Sequence, residues 1–198
     1  MFAHWMSITA RRDAESGNEA GPFEKSITVP DPPNYTVCVD SLASEAGATP
    51  NRSNLKQQCE QRYTALKEQV LESLITAEWF FAEGEVRGLR VSTGEEAQRV
   101  KQVRQNGFRT EAEYEAYLHR GGETQADQLF RSRIKLFSAK LQQQIEGSGS
   151  AEERRRTLYG YMAHFGGRWS TKTDCRRGFV VPGCSQYKGP IRAEPHLL

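Results

Sequence analysis

The chain has 198 residues, 37% of them hydrophobic, with 27 Lys or Arg against 25 Asp or Glu and a net charge of +2. That length accommodates one or two domains with a real core, while a mean hydropathy of -0.70 keeps much of the folded surface in water. No run approaches the roughly 20 apolar residues of a membrane-spanning helix, and the opening residues lack the apolar stretch of an export signal.

The first predicted helix is FAHWMSITARRDAES, which starts without a capping Ser, Thr, Asp or Asn and so reads as if it begins inside an element. Gly17 to Pro33 form an extended connector, because Pro22, Pro30, Pro32 and Pro33 exclude regular helix. Tyr35, Cys38, Leu42 and Ala46 then step by three or four residues, and Gly47 and Pro50 stop that helix.

After Ser53, a cap by its residue type, comes the strongest periodicity in the chain. Leu55, Cys59, Tyr63, Leu66, Val70, Leu74, Ala77 and Phe81 share one stripe at 100° per residue. Cys38 and Cys59 sit in the apolar stripes of consecutive helices, nearly equidistant from the turn between them. An antiparallel hairpin sets them opposite each other and predicts a disulfide; two free core thiols are the alternative. Closing that loop stabilises the fold by about 3 kcal/mol on the chain-entropy account.

Toward the end of the long helix Leu71, Ile75, Trp79 and Val86 define a second side, and Trp79, Phe80 and Phe81 are consecutive. Three adjacent aromatics cannot all face one partner. Either several helices surround this end, the usual fate of apolar faces, or part of it stays open to a ligand.

Gly88 followed by Leu89 suits a left-handed helix end with an apolar clasp. Three shorter helices follow, opened by capping boxes or a close relative at Ser92/Glu95, Thr110/Glu113 and Thr124/Asp127. Asn106-Gly107 and Gly121-Gly122 separate them. The last carries Phe130, Ile134, Phe137, Leu141 and Ile145 on one face and ends at the linker Gly147-Ser148-Gly149-Ser150. Ser150 with Glu153 caps another helix, expected to run to about Phe165.

Beyond it, GGRWSTKTDCRRGFVVPGCSQYKGP contains turn residues and a short β-prone Phe179-Val180-Val181 between Cys175 and Cys184. That reads as a small loop stapled by a second disulfide. Zinc held by Cys175, Cys184, His164 and His196 is the weaker alternative, since eight residues separate the cysteines and zinc knuckles space theirs by roughly two to four. Two disulfides imply an oxidising compartment. From Ala151 onward nine Lys or Arg face four Asp or Glu, a basic end suited to an anionic envelope surface or simply to solvent. No nucleic-acid fold signature accompanies it, so nucleic acid is not an expected partner.

Chemistry is hard to place. His4, His119, His164 and His196 are scattered, with no HExxH. Glu111, Glu113 and Glu115 read as a solvated helix face, and no glycine follows a strand as a phosphate-binding loop requires. No metal, cofactor or catalytic residue is expected.

The order of these elements resembles a known family. YTALKEQVLESLITAEWFFAEGEVRGLRVSTGEEAQRVKQV followed by FRTEAEYEAYLHRGGETQADQLFRSRIKLFSAKL is similar to the N-terminal chaperone domain of bacterial SurA-like and PrsA-like peptidyl-prolyl isomerases. FAHWM resembles that domain's first helix, and RWSTKTDCRRGFVVPGC the tail of secreted members. The resemblance implies an all-α fold in three parts: a partial first helix and connector over 1–33, a helical SurA-N-like domain over 34–165, and a basic tail over 166–198. In that family a parvulin isomerase domain lies where this sequence has only Glu146 to Ser150, so no catalytic residue can be carried over. The expected work is ATP-independent binding of unfolded or extended polypeptide, outside the cytoplasm given an upstream export signal. Trp79, Phe80, Tyr114, Tyr117 and Phe130 are the candidate client-binding residues, with burial in the core as the alternative. An isomerase by membership and an envelope scaffold docking through its basic tail are the other expectations.

Overall fold

A computed structural model of the chain describes residues 1–16, 29–45 and 51–189. Most of the expected connector, the turn carrying Ala46, Gly47 and Pro50, and the last residues with His196 lie outside them. Among the described residues the protein is all-helical: α1 (Phe2–Ser16), α2 (Thr36–Glu45), α3 (Arg52–Val86), α4 (Thr93–Gly107), α5 (Glu111–Gly121), α6 (Gln125–Glu146) and α7 (Ala151–Ser170). They divide into two compact units, Met1–Leu71 with Arg120–Gly122, and Glu72–His119 with Glu123–Leu198. Helix α3 contributes its first part to the first unit and its last part to the second.

In the first unit α2 and the start of α3 pack Tyr35, Cys38, Val39, Leu55 and Cys59 into a small core, with Leu42, Ala43 and Tyr63 against it. The register argument is met: Cys38 and Cys59 form a disulfide with 6.0 Å between their Cα atoms. Helix α3 starts at Arg52, because the side chain of Asn51 accepts from the backbone N–H groups of Ser53 and Asn54 at 3.0 and 3.4 Å. Asn51, not Ser53, is therefore the cap. Trp5, Met6 and Ile8 of α1 are also buried.

The second unit is organised by the end of α3. Gly88 adopts φ 68; the Leu89 N–H donates to the Gly84 carbonyl at 2.8 Å and the Gly88 N–H to Glu85 at 3.1 Å. These paired bonds close the helix and turn Leu89 back onto its core. Capping boxes form at Ser92/Glu95, Thr124/Asp127 and Ser150/Glu153. At Thr110 the hydroxyl accepts from the Glu113 N–H at 3.2 Å, but the Glu113 carboxylate accepts from Arg109 N at 2.7 Å.

The predicted α6 face is the core face: Ile134, Phe137 and Leu141 are buried with Ala77, Trp79, Phe80 and Phe165, and Phe130 and Ile145 pack at the edge. Gly84 lets α3 approach α6, since a Cβ there would stand 2.6 Å from Cδ1 of Phe137. Val86, expected on the second apolar side, is instead 77% exposed.

One expectation about the end of the chain needs correction, and the stapled loop after it is as read. Helix α7 runs through Gly166-Gly167 to Ser170, past the anticipated end at Phe165. Each internal glycine costs about 1 kcal/mol in helix propensity; the Trp169 indole, anchored on Glu83 at 2.9 Å, holds the last turn in place. The β-prone Phe179-Val180-Val181 forms no strand. With no neighbouring strand to take its backbone groups, it sits in a series of turns, closed by the Cys175–Cys184 disulfide with Cα atoms 5.7 Å apart.

Candidate functional site

The consecutive aromatics of α3 are each given a different partner. Trp79 meets the Phe165 ring edge-on at 6.3 Å, and its indole N–H donates to Thr173 Oγ1 at 2.7 Å. Phe80 stacks on Phe165 at 5.3 Å. Phe81 contacts Phe137 and Phe130 edge-on at 5.4 and 6.0 Å. Surrounding helices thus resolve what the sequence left open.

Of the five candidate client-binding residues, Trp79, Phe80 and Tyr114 are buried, and in this conformation they are core rather than surface. The reason for Trp79 and Phe80 is tertiary, since Phe165 of α7 covers both, while Tyr114 packs on Phe108. Phe130 and Tyr117 are half-buried and keep part of their rings accessible. Tyr117 and Tyr114 pack on Phe108, each 5.2 Å away. The Tyr114 hydroxyl is buried without a hydrogen-bond partner, and burial, the largest influence, raises its pKa.

Sequence reasoning missed the residues that edge this core. The Arg133 guanidinium lies over the Phe81 ring at 4.8 Å. Tyr161 carries Arg87 and Arg168 over its ring at 4.9 and 5.3 Å. Both rings are half-buried. The one signal available was spacing: Arg133 lies four residues before Phe137 on the same helix, and its guanidinium reaches that ring too, at 5.8 Å.

A buried carboxylate anchors this edge. Glu83 is 2% exposed and accepts from Arg87 Nε at 2.6 Å, Arg168 at 2.8 Å and the Trp169 indole at 2.9 Å. Burial pushes its pKa up, but hydrogen bonds from Tyr161, Arg87 and Trp169 together with the charge of Arg168 outweigh it, and the net direction is down. Glu83 is an ionised anchor, fully engaged and unsuited to proton transfer at neutral pH. A second buried pair, Glu123 with Gln128, joins the end of the α5–α6 turn to α6.

In the first unit a shallow groove of ≈ 360 Å³ is lined by Asn34, Thr36, Val39, Arg52, Ser53 and Lys56. Arg52 there is already paired with Asp40 at 2.6 Å. Beside the groove Tyr35 holds φ 55, a left-handed conformation unfavourable for a bulky residue and held by packing against Tyr63, 6.1 Å between rings.

Cys175 and Cys184 are bonded to each other, and among the described residues no group of three or more His, Cys, Asp or Glu is placed to hold a metal. No described helix is long and apolar enough to cross a membrane. The two disulfides point to an oxidising compartment. Compared with known proteins, the chain matches no family model, no curated protein and no solved structure.

Proposed function

We propose that this chain is an extracytoplasmic, ATP-independent polypeptide-binding module, akin in its work to the chaperone domains of SurA-like and PrsA-like proteins and lacking their isomerase domain. One observation carries the reading: at the edge of the second unit the half-buried Phe81 ring has over it the guanidinium of an exposed arginine, Arg133, at 4.8 Å. A guanidinium over a ring is worth about 0.5–1 kcal/mol at exposed sites, and Arg133, paired only loosely with Glu96 at 3.7 Å, swings aside at little cost, whereas Arg87 and Arg168 are held over Tyr161 by the buried Glu83. Such a cover yields to an apolar side chain of a client, which gains roughly 25 cal/mol per Å² of apolar area removed from water. The contacts are weak, indifferent to sequence and reversible, so no nucleotide is needed for release.

Phe81 and Phe130 are the proposed contact residues, with Tyr117 and Phe108 as a second patch. Light scattering of an aggregating unfolded protein tests the idea. Suppression at near-stoichiometric ratios is expected, and no effect at large excess would reject it. Acceleration of prolyl cis–trans exchange in a peptide is not expected; measurable turnover would favour the isomerase reading instead.

A further inference from the structure

The stapled loop that follows α7 lies on the Ile75–Trp79 side of α3. Thr173 Oγ1 accepts the Trp79 indole N–H at 2.7 Å. Gly183 presses so close that a Cβ there would stand 3.1 Å from Ile75 Cγ2 and 3.4 Å from the Trp79 ring. Val181 and Cys184 are buried. The loop has no helix or strand of its own. Its shape rests on short turns, on the Ser185 N–H donating to the Thr173 carbonyl at 2.8 Å, on the two-way bonding of Gln186 with the Cys175 backbone at 3.1 and 3.2 Å, and on the Cys175–Cys184 bond. So few residues cannot fold alone, and a covalent closure commonly supplies what such segments lack.

The two disulfides differ in access. Cys38 and Cys59 are both buried, whereas Cys175 is half-exposed and only Cys184 is buried. We propose that the Cys175–Cys184 bond is a redox latch: it holds the loop as an intrachain cover over an apolar patch centred on Ile75 and Trp79, and reduction by a dithiol oxidoreductase uncovers that patch. One thiolate of the reductant attacks Cys175 Sγ, forming a mixed disulfide and releasing Cys184, which takes up a proton. The reductant's second thiolate then closes its own disulfide and frees Cys175, so two electrons pass from the dithiol to the loop. With both thiols free, the loop loses its closure and undocks. The latch does not depend on the chaperone reading, although the use of the uncovered patch by a client does.

Full-length protein is compared in oxidised form and as the double variant Cys175→Ala/Cys184→Ala, which leaves the Cys38–Cys59 bond intact. Hydrogen exchange of the indole N–H groups is followed by NMR, with the Trp79 signal assigned from Trp79→Phe, alongside binding of anilinonaphthalene sulfonate. The expected result is exchange at Trp79 faster by roughly tenfold or more, increased dye binding, and an unchanged Trp169 indole still held by Glu83. Unchanged protection at Trp79 would overturn the latch, and so would joint loss of protection at Trp79 and Trp169, which signals general unfolding. Gly183→Leu in the oxidised protein provides a second route, because it wedges the loop off Ile75 and Trp79 with the disulfide intact; it should give the same Trp79 change, and its failure to do so would also overturn the proposal. Limited reduction with dithiothreitol, read by mass-tagged alkylation, should label Cys175 and Cys184 before Cys38 and Cys59, and the reverse order would defeat it. Dye binding to the uncovered patch without any capture of unfolded polypeptide would count against the chaperone reading alone.

Discussion

The Arg168 guanidinium on α7 lies 2.8 Å from a carboxylate oxygen of Glu83 on α3, joining residues 85 positions apart. Around this contact the Trp169 indole and Arg87 complete the shell of the buried acid. Glu83→Gln keeps the shape but removes the charge that these donors surround. It should lower stability by about 1.5–3 kcal/mol, the range for hydrogen bonds to a charged group, as measured by urea unfolding.

The same carboxylate sets an acid limit. Its folded pKa is depressed, so its contribution is present above the unfolded carboxylate value and is lost as pH falls through the folded one. Wild type should therefore lose stability on acidification below the ordinary carboxylate range more steeply than Glu83→Gln. Parallel unfolding curves for the two proteins across that range would contradict the assignment.

The Cys38–Cys59 bond closes a sequence separation of 21 residues. Replacing both cysteines by alanine should cost about 3 kcal/mol by loop-closure entropy, with the loss confined to the first unit. Hydrogen exchange of the α2 amides reads it directly: protection there should fall while that of α6 stays as it was.

Tyr114 offers the opposite sign. Its ring is 1% exposed and its hydroxyl has no hydrogen-bond partner, which is a desolvation cost without compensation. Tyr114→Phe should be neutral or stabilising, by up to about 1 kcal/mol. A thermal unfolding midpoint several degrees below wild type would show that the hydroxyl is engaged.

Gly84→Ala improves intrinsic helix propensity yet forces a methyl into the Phe137 ring. Overpacking of this kind costs about 1–3 kcal/mol, more than the roughly 1 kcal/mol that propensity returns. Net destabilisation is expected by chemical denaturation, and the double variant Gly84→Ala/Phe137→Leu should recover part of it.

On the surface between α4 and α6, Lys140 Nζ sits 2.6 Å from Glu95. That hydrogen bond, followed by those from Ser92, holds the Glu95 pKa at about 2. Lys140→Met should raise it measurably in a carbon-detected NMR titration and leave Glu153, whose depression comes from Ser150, where it was.

The sequence exposed its helices because caps and periodicity are local. Ser92, Thr124 and Ser150 announce helix starts, and the Gly88-Leu89 pair an end, through bonds that span only a few residues. The Cys38–Cys59 pairing was legible for a related reason: one hairpin fixes the register. What could not be read is non-local. Whether Trp79 points into a core or toward solvent depends on Phe165 and Thr173, 86 and 94 residues further on, and nothing near Trp79 reports them. Glu83 looked like any helical glutamate until Arg168 and Trp169 were brought to it. The glycine pair in α7 misled for the same reason, since local propensity argues for a stop that tertiary bonding overrides.

The bend between α6 and α7 has a consequence for how this fold can change. Gly147, with φ 62 and ψ -149, ends one helix, and Ser150 with Glu153 starts the next using only its own side chains. The second rod starts itself. Breaking the polypeptide here, or grafting foreign sequence between Ser148 and Gly149, leaves the start of α7 chemically complete, which makes this bend a natural port for acquiring or shedding whole modules during evolution.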